Sequence, residues 1–223
     1  MKKYRVTKES IMIDGEPVYR IKALKSFGNV KKGDLGGFVD DEDNLSQEGD
    51  CWIYGDAAVY GGGCLYDNAQ VSDNVRVFGN AELFDNTRIS GNARIYDESI
   101  VRGNANISGD VQIYHEAHIS GDACVSGDTE IYVDTYIEDD AVISSDNDMY
   151  VVTNLYVPFT TEGSSVLTFF RCKDNTVKFT FRGKSGNIEE FFNIFNFNGP
   201  GSEMVNQFFK EQIDNAKKQF GLS

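Results

Sequence analysis

The sequence predicts a mainly β chain folded as a triangular β-solenoid, and three observations carry that prediction. From Gly49 to Ser144 the chain divides, without insertion or deletion, into 16 consecutive hexads whose fifth residue, from Ile53 to Ile143, is always Ile, Val or Leu. The third residue of each hexad is small or β-branched, from Cys51 and Ala57 to Thr135 and Ala141, so two positions per hexad are suited to a narrow interior. The sixth residue repeats every 18 positions. One series reads Tyr54, Ser72, Ser90, Ser108, Ser126, Ser144, the next Tyr60, Phe78, Tyr96, Tyr114, Tyr132, and the third, Tyr66, Phe84, Arg102, Ser120, Glu138, is mixed. A fixed short period is the signature of a stacked repeat, and three hexads per superperiod mean three faces per coil. At a strand spacing of ~4.8 Å the hexads make about five coils.

Each element has a local reason. Residues 1–48 read as an N-terminal β cap and opening coil: Tyr4 to Thr7 and Ile11 to Ile13 as strand, Asp14-Gly15 as a tight turn, Val18 to Ala23 as the return. Val39 and Leu45 stand six apart in the opening coil, and the register slips by two at Gln47-Glu48. In residues 49–144, the first two positions of most hexads are Gly or Asp followed by Asp or Asn, residues that tolerate left-handed backbone and satisfy turn amides. Residues 145–223 leave the pattern and read as an α+β module. Tyr150 to Val157, Ser165 to Arg171 and Thr176 to Arg182 are expected strands of a meander. Ile188, Phe191, Phe192 and Phe195 share a helical face, and Ser202 caps a final helix bearing Val205, Phe208, Phe209, Ile213, Ala216 and Phe220. A solenoid exposes its core at both ends, so these aromatic faces are expected to cover the last coil or to meet another subunit. The second role is favoured, with Phe191, Phe195, Phe208 and Phe209 as the interface.

Charge narrows the function classes. Across 223 residues, 35 Asp and Glu oppose 21 Lys and Arg, a formal net charge of −14. That sign repels DNA, RNA and anionic membrane, and permits a basic protein partner. The hydrophobic fraction of 40% and the 16 Phe, 11 Tyr and one Trp supply a core, so the chain is not a disordered acidic tail. No apolar leader follows Met1 and no run of ~18 apolar residues occurs, which predicts a cytoplasmic protein. Cys51, Cys64, Cys124 and Cys172 form no C-x-x-C pair, so reduced thiols are expected, without metal or cofactor.

The aliphatic residue followed four positions later by a small one resembles the hexapeptide-repeat, left-handed parallel β-helix superfamily. More narrowly, Leu35-Gly36-Gly37-Phe38-Val39, Asn44-Leu45-Ser46-Gln47 and Gly49-Asp50-Cys51-Trp52-Ile53-Tyr54 are similar to the opening segment of a bacterial and phage or prophage subgroup, often labelled acyltransferases. The resemblance implies the left-handed fold. It also implies one candidate activity, an acyl transfer using a histidine base in a cleft between subunits of a trimer. The weak candidates for that base are His115, which replaces a corner Gly or Asp, and His118, at an outward position. No loop insertion interrupts the solenoid to build an acceptor pocket, so a non-catalytic role is favoured.

The charge is also segregated. Residues 49–144 hold 17 acidic and 4 basic side chains, while both flanks are nearly neutral. Asp110, Glu116, Asp122, Asp128, Glu130, Asp134, Glu138, Asp139 and Asp140 crowd the later coils, and no Lys or Arg occurs between Arg102 and Arg171. Corner geometry alone accounts for much of this, yet the earlier corners at Asn68, Asn74, Asn80, Asn86, Asn92 and Asn104 use Asn. The expectation is therefore a macromolecule-binding protein of phage or prophage type. It would inhibit a host nucleic-acid-binding or defence protein through its acidic surface, in the manner of an anti-CRISPR or a DNA mimic. The alternatives are the trimeric acyltransferase and a small-molecule-binding or scaffold oligomer. The ladder Tyr60, Phe78, Tyr96, Tyr114, Tyr132 is expected to stack on itself or to serve as a face for a second subunit in a homo-oligomer.

Overall fold

The computed structural model describes residues 2–132, 135–137, 142–145, 150–157, 165–171, 177–181, 184–195, 198 and 202–219. Strands of two to four residues alternate with short corners, and each strand pairs in parallel with the one 18 residues on, such as Arg88 with Asn106 and Ile95 with Ile113. Three parallel stacks result. A serine face runs from Trp52–Ile53 to Val142–Ser145, a tyrosine face from Ala58–Val59 to Glu130–Ile131, and a third face from Cys64–Leu65 to Tyr136–Ile137. The described third and fifth hexad residues point inward and form one continuous core, with Ile89, Ile107 and Val125 among the stacked aliphatics. The corners turn on left-handed backbone, supplied by Gly or Asp and, unusually, by His115 at φ 57°.

The N-terminal segment extends the tyrosine face rather than forming a separate layer. Strands β1 (Tyr4–Ile13), β2 (Glu16–Ala23) and β3 (Leu35–Val39) pair antiparallel in that order, and β3 then joins Ala58–Val59 in parallel. Strand β1 is continuous where two pieces were expected, because a bulge between Val6 and Ser10 absorbs the polar Thr7, Lys8 and Glu9. Gly37 permits the close approach of β3: a Cβ there would stand 2.2 Å from the Ala57 carbonyl oxygen. Outside the main core, Val18, Phe38, Ala58 and Tyr60 form a small apolar cluster beneath the hairpin.

The two-residue slip is real and has a chemical consequence. Val39 pairs with Val59 and Leu45 with Leu65, offsets two longer than the later 18. The main-chain oxygens of Glu48, Gly49 and Cys51 at the slip are satisfied by the Lys3 ammonium, at 3.1, 3.4 and 3.1 Å. Lys3 is fully buried, with Phe27 over its Nζ at 5.1 Å. Beside it the Tyr4 hydroxyl donates to the Leu45 carbonyl at 2.9 Å, and the Gln47 side-chain oxygen accepts from the Lys3 amide at 2.7 Å. Trp52, at a nominally outward position, is buried because Tyr4 and Phe27 close edge-on around it. Lys3, Tyr4 and Phe27 thus plug the first coil.

At the other end, Tyr150–Val157, Ser165–Arg171, Val177–Phe181 and Lys184–Asn187 make an antiparallel four-stranded sheet, the last strand not having been expected. The Thr168 hydroxyl donates to the Tyr136 carbonyl of the last third-face strand at 2.9 Å, tying the sheet to the solenoid. The following helical turn is shorter than the face of Ile188, Phe191, Phe192 and Phe195 suggested. A 3-10 turn at Ile188–Glu190 precedes α1 (Phe191–Ile194) and shifts the angular phase, so Phe191 is buried while Phe192 is exposed. The final helix, α2 (Ser202–Gln219), lays Phe209, Ile213 and Ala216 on the sheet residues Leu167, Phe169, Phe179 and Phe181.

The C-terminal phenylalanines expected at an interface pack, within this chain, against the module's own sheet. Phe191 and Phe209 are buried in the module's own core, and Phe195 and Phe208 pack half-buried against it, because the sheet gives them Phe179 and Phe181 as partners. Among the described residues no helix is long and apolar enough to cross a membrane.

Candidate functional site

The three corners of the prism are chemically unequal. Between the third and serine faces, each corner Asn donates its Nδ2 to the side-chain oxygen 18 residues on: Asn68 to Asn86 and Asn86 to Asn104, both 3.0 Å, then Asn104 to Asp122, 2.6 Å. Between the serine and tyrosine faces the same ladder runs from Asn74 to Asn92 at 2.9 Å and from Asn92 to Asp110 at 2.7 Å. The last rung only accepts, and a carboxylate accepts more strongly than an amide, which fits the shorter final contacts. Asp110 and Asp122 therefore complete structural ladders. That gives a structural reason for the change from Asn to Asp at these two corners, while both residues stay exposed. The preceding corner acids are also occupied: Asp67, Asp73, Asp85 and Asp97 accept the amides of Asp85, Gly91, Gly103 and His115 in the next coil, at 2.9 to 3.2 Å.

The corner between the tyrosine and third faces differs. Its second positions read Gly62, Asn80, Glu98 and Glu116, and among the described residues neither glutamate side chain has a hydrogen-bonding or ion-pair partner. Gly61, Gly79, Asn80, Asp97, Glu98, His115 and Glu116 line a groove of about 590 Å³ along this corner. Gly61 and Gly79 contribute no side chains to its lining. Gly79 has φ +70°, and a Cβ there would lie 2.6 Å from the Asp97 amide nitrogen. At its far wall, His115 Nε2 stands 4.0 Å from Asp97 Oδ2.

The aromatic ladder borders this groove. Tyr60, Phe78, Tyr96, Tyr114 and Tyr132 stack nearly parallel, with ring centroids 4.9 to 5.3 Å apart and interplanar angles of 4 to 13°. Stacked rings turn their edges outward, so their faces are engaged with one another. The N-terminal hairpin covers the base of the ladder, where the Tyr60 hydroxyl donates to Asp14 at 2.8 Å. Burial, and then the Asp14 carboxylate, raise the Tyr60 pKa. Burial and the neighbouring Glu130 charge push Tyr114 up to about 12.

The remaining acids are dispersed. Glu130 sits on the tyrosine face, where it accepts from Gln112 Nε2 at 3.3 Å, and Asp128 lies at the serine–tyrosine corner. Asp134, Glu138, Asp139 and Asp140 lie outside the described residues. The acids singled out in the sequence thus fall on different corners and faces, and of those described only Glu116 lines the groove. Asp97, Glu98, Asn80, Gly61 and Gly79 were missed as site residues. The signal was available at the third corner, where glutamate replaces the ladder-forming Asn at Glu98 and Glu116. His118 is separate from this site: it stacks on Tyr136 at 4.9 Å on the third face. No group of three or more His, Cys, Asp or Glu with metal-holding geometry occurs among the described residues.

Comparison with known proteins agrees with the geometry of the coils. The family model described as the YdcK β-solenoid repeat matches residues 69–81 and 88–103. The Escherichia coli (strain K12) protein called "Uncharacterized acetyltransferase YdcK" is 35% identical over 89 residues, 36% of this chain. The match spans only 26% of that protein's own length. Its uninterrupted hexads and three parallel faces make the chain a hexapeptide-repeat-like β-solenoid, similar over these matched repeats to the YdcK β-solenoid repeat.

Proposed function

We propose that the chain binds a cationic segment of another macromolecule along the groove at the corner between the tyrosine and third faces. The observation behind this reading is that Glu98 and Glu116 stand exposed, without structural duty, one coil apart on a glycine-floored groove. Unpaired carboxylates one strand spacing apart suit a row of Lys or Arg side chains, whose approach they would also steer. The finer version is an inhibitor that occupies this row in a basic, nucleic-acid-binding host or defence protein. Assembly into a homo-oligomer through the upper rungs Tyr96, Tyr114 and Tyr132 belongs to the same reading, and mass in solution tests it.

The test compares two double variants in titrations with a fluorescent oligo-arginine peptide. Glu98→Gln with Glu116→Gln should weaken binding about tenfold, the equivalent of ~1.4 kcal/mol, while Asp110→Asn with Asp122→Asn should leave it nearly unchanged. Equal losses in both would show diffuse charge attraction and refute a groove. Displacement of DNA from a captured basic partner tests the finer version.

A second reading, acyl transfer, draws on the His115 and Asp97 pair in the same groove and on the printed name of the E. coli relative. A histidine beside a carboxylate is the arrangement a general base needs. His115→Ala should then abolish acetyl-CoA-dependent transfer, and unchanged transfer would refute this reading.

A further inference from the structure

Lys3 and Cys51 form a chemically reactive pair in the plugged first coil, apart from the groove. Lys3 Nζ lies 3.2 Å from Cys51 Sγ, and both residues are fully buried. The contact is held from several sides. Three carbonyl oxygens grip the ammonium, and Phe27 covers it. The thiol stands at an inward hexad position, close to the main-chain oxygens of Ser46 and Leu65 at 3.5 and 3.6 Å. Neither side chain can rotate away without breaking the plug. An amine nitrogen and a thiol sulfur so confined are placed for covalent joining under oxidation, and their separation suits an intervening oxygen better than a direct N–S bond, which needs far more closing movement.

We propose that Lys3 and Cys51 are a modification site at which peroxide forms an Nζ–O–Sγ bridge. The first hydrogen peroxide converts the thiol to a sulfenic acid and leaves as water. The second removes two electrons as the sulfenic oxygen bonds to Nζ, and both its oxygens leave as water. Lys3 gives up one proton to solvent and one hydrogen to water. In total one thiol, one ammonium and two peroxides give one bridge, three waters and one proton. The product ties β1 to the first coil through a covalent link that a dithiol reductant reverses at the S–O bond. A link between residues 3 and 51 closes a long loop and so limits the unfolded chain.

The experiment treats the intact chain with hydrogen peroxide and maps tryptic peptides by mass spectrometry, with and without dithiothreitol. The expected product is a cross-linked peptide joining Lys3 to Cys51, one oxygen heavier and two hydrogens lighter, about +14 Da, lost on reduction. It should be absent from Cys51→Ala, where alanine suits the small inward position, and from Lys3→Arg. Oxidised wild type should also unfold at higher denaturant than reduced wild type, a difference missing in Cys51→Ala. Exposed Cys124 reports that the peroxide acted. Oxidation of Cys51 to sulfinic acid with Lys3 unmodified, or modification at Cys124 alone, would overturn the proposal.

Discussion

Replacing Thr87 by Val should make the protein more stable, although it removes a polar group from a sequence that uses Thr or Ser at equivalent inward positions. Thr87 is fully buried in the column of third hexad positions, between Ala69 and Ala105 one coil to either side. Its hydroxyl has no hydrogen-bond partner. Three related residues show the usual solution: the hydroxyls of Ser99, Thr129 and Thr135 donate to the carbonyls of Tyr96, Ser126 and Tyr132 at 2.9, 3.1 and 2.6 Å. Burying a hydroxyl without compensation costs ~1–3 kcal/mol by mutational data, and Val keeps the β-branched shape. Thr87→Val should therefore gain about 1 kcal/mol, or about 2–4 °C in Tm for a chain of this size. Thr135→Val is the matched control. It deletes a made bond, so it should lose about 1 kcal/mol. Urea unfolding followed by circular dichroism measures both midpoints. If both variants move the same way, or Thr87→Val loses stability, the hydroxyl is not the cause and the reasoning fails.

Three other outcomes follow from the corners and the ladder. Gly79→Ala should cost roughly 2 kcal/mol or more through left-handed backbone and the close Asp97 amide, seen as a lower urea midpoint. Asn104→Ala removes both the bond accepted from Asn86 and the one donated to Asp122, and should destabilise by about 1 kcal/mol; Asp122→Asn keeps an acceptor and should cost less, by the same assay. Because the folded Tyr114 pKa is raised, its contribution is complete below about pH 10, the ordinary tyrosine value, and is lost as pH rises toward about 12. Phenolate absorbance should show a step near pH 12, shared with Tyr66, that Tyr114→Phe reduces, with stability falling over the same window.

The coils were legible because the inward positions have no freedom: a six-residue repeat with Ile, Val or Leu at every fifth place admits only one register. The slip at Gln47 and Glu48 was legible for the same reason, as a break in that register. What filled the slip was not, since Lys3 lies more than 40 residues away in sequence and a lysine near a terminus ordinarily faces water. Trp52 was hidden similarly: its position predicts exposure, and only the approach of Tyr4 and Phe27 buries it. The change from Asn to Asp looked like a charge signal because ladder termination depends on which residue donates, which composition does not reveal. At the C-terminus the strands were readable from alternation, but the phenylalanines gave hydrophobicity without direction. Their partners, Phe179 and Phe181, come from a strand whose pairing decides which way they face.

A stack of parallel strands at this spacing has the same geometry as a fibril, and what separates the two is whether an edge invites another chain. Strand β1 is the outermost strand of the tyrosine-face sheet, and it holds ten residues. Its bulge, placed at Thr7, Lys8 and Glu9, breaks the regular row of amides and carbonyls that an incoming strand would need, and puts charge where docking would occur. The hairpin therefore ends the prism as well as covering it. Straightening β1 by deleting two residues, Thr7 and Lys8, would restore an even edge and offer neighbouring molecules a template, turning a protein of fixed length into one able to polymerise along its own axis.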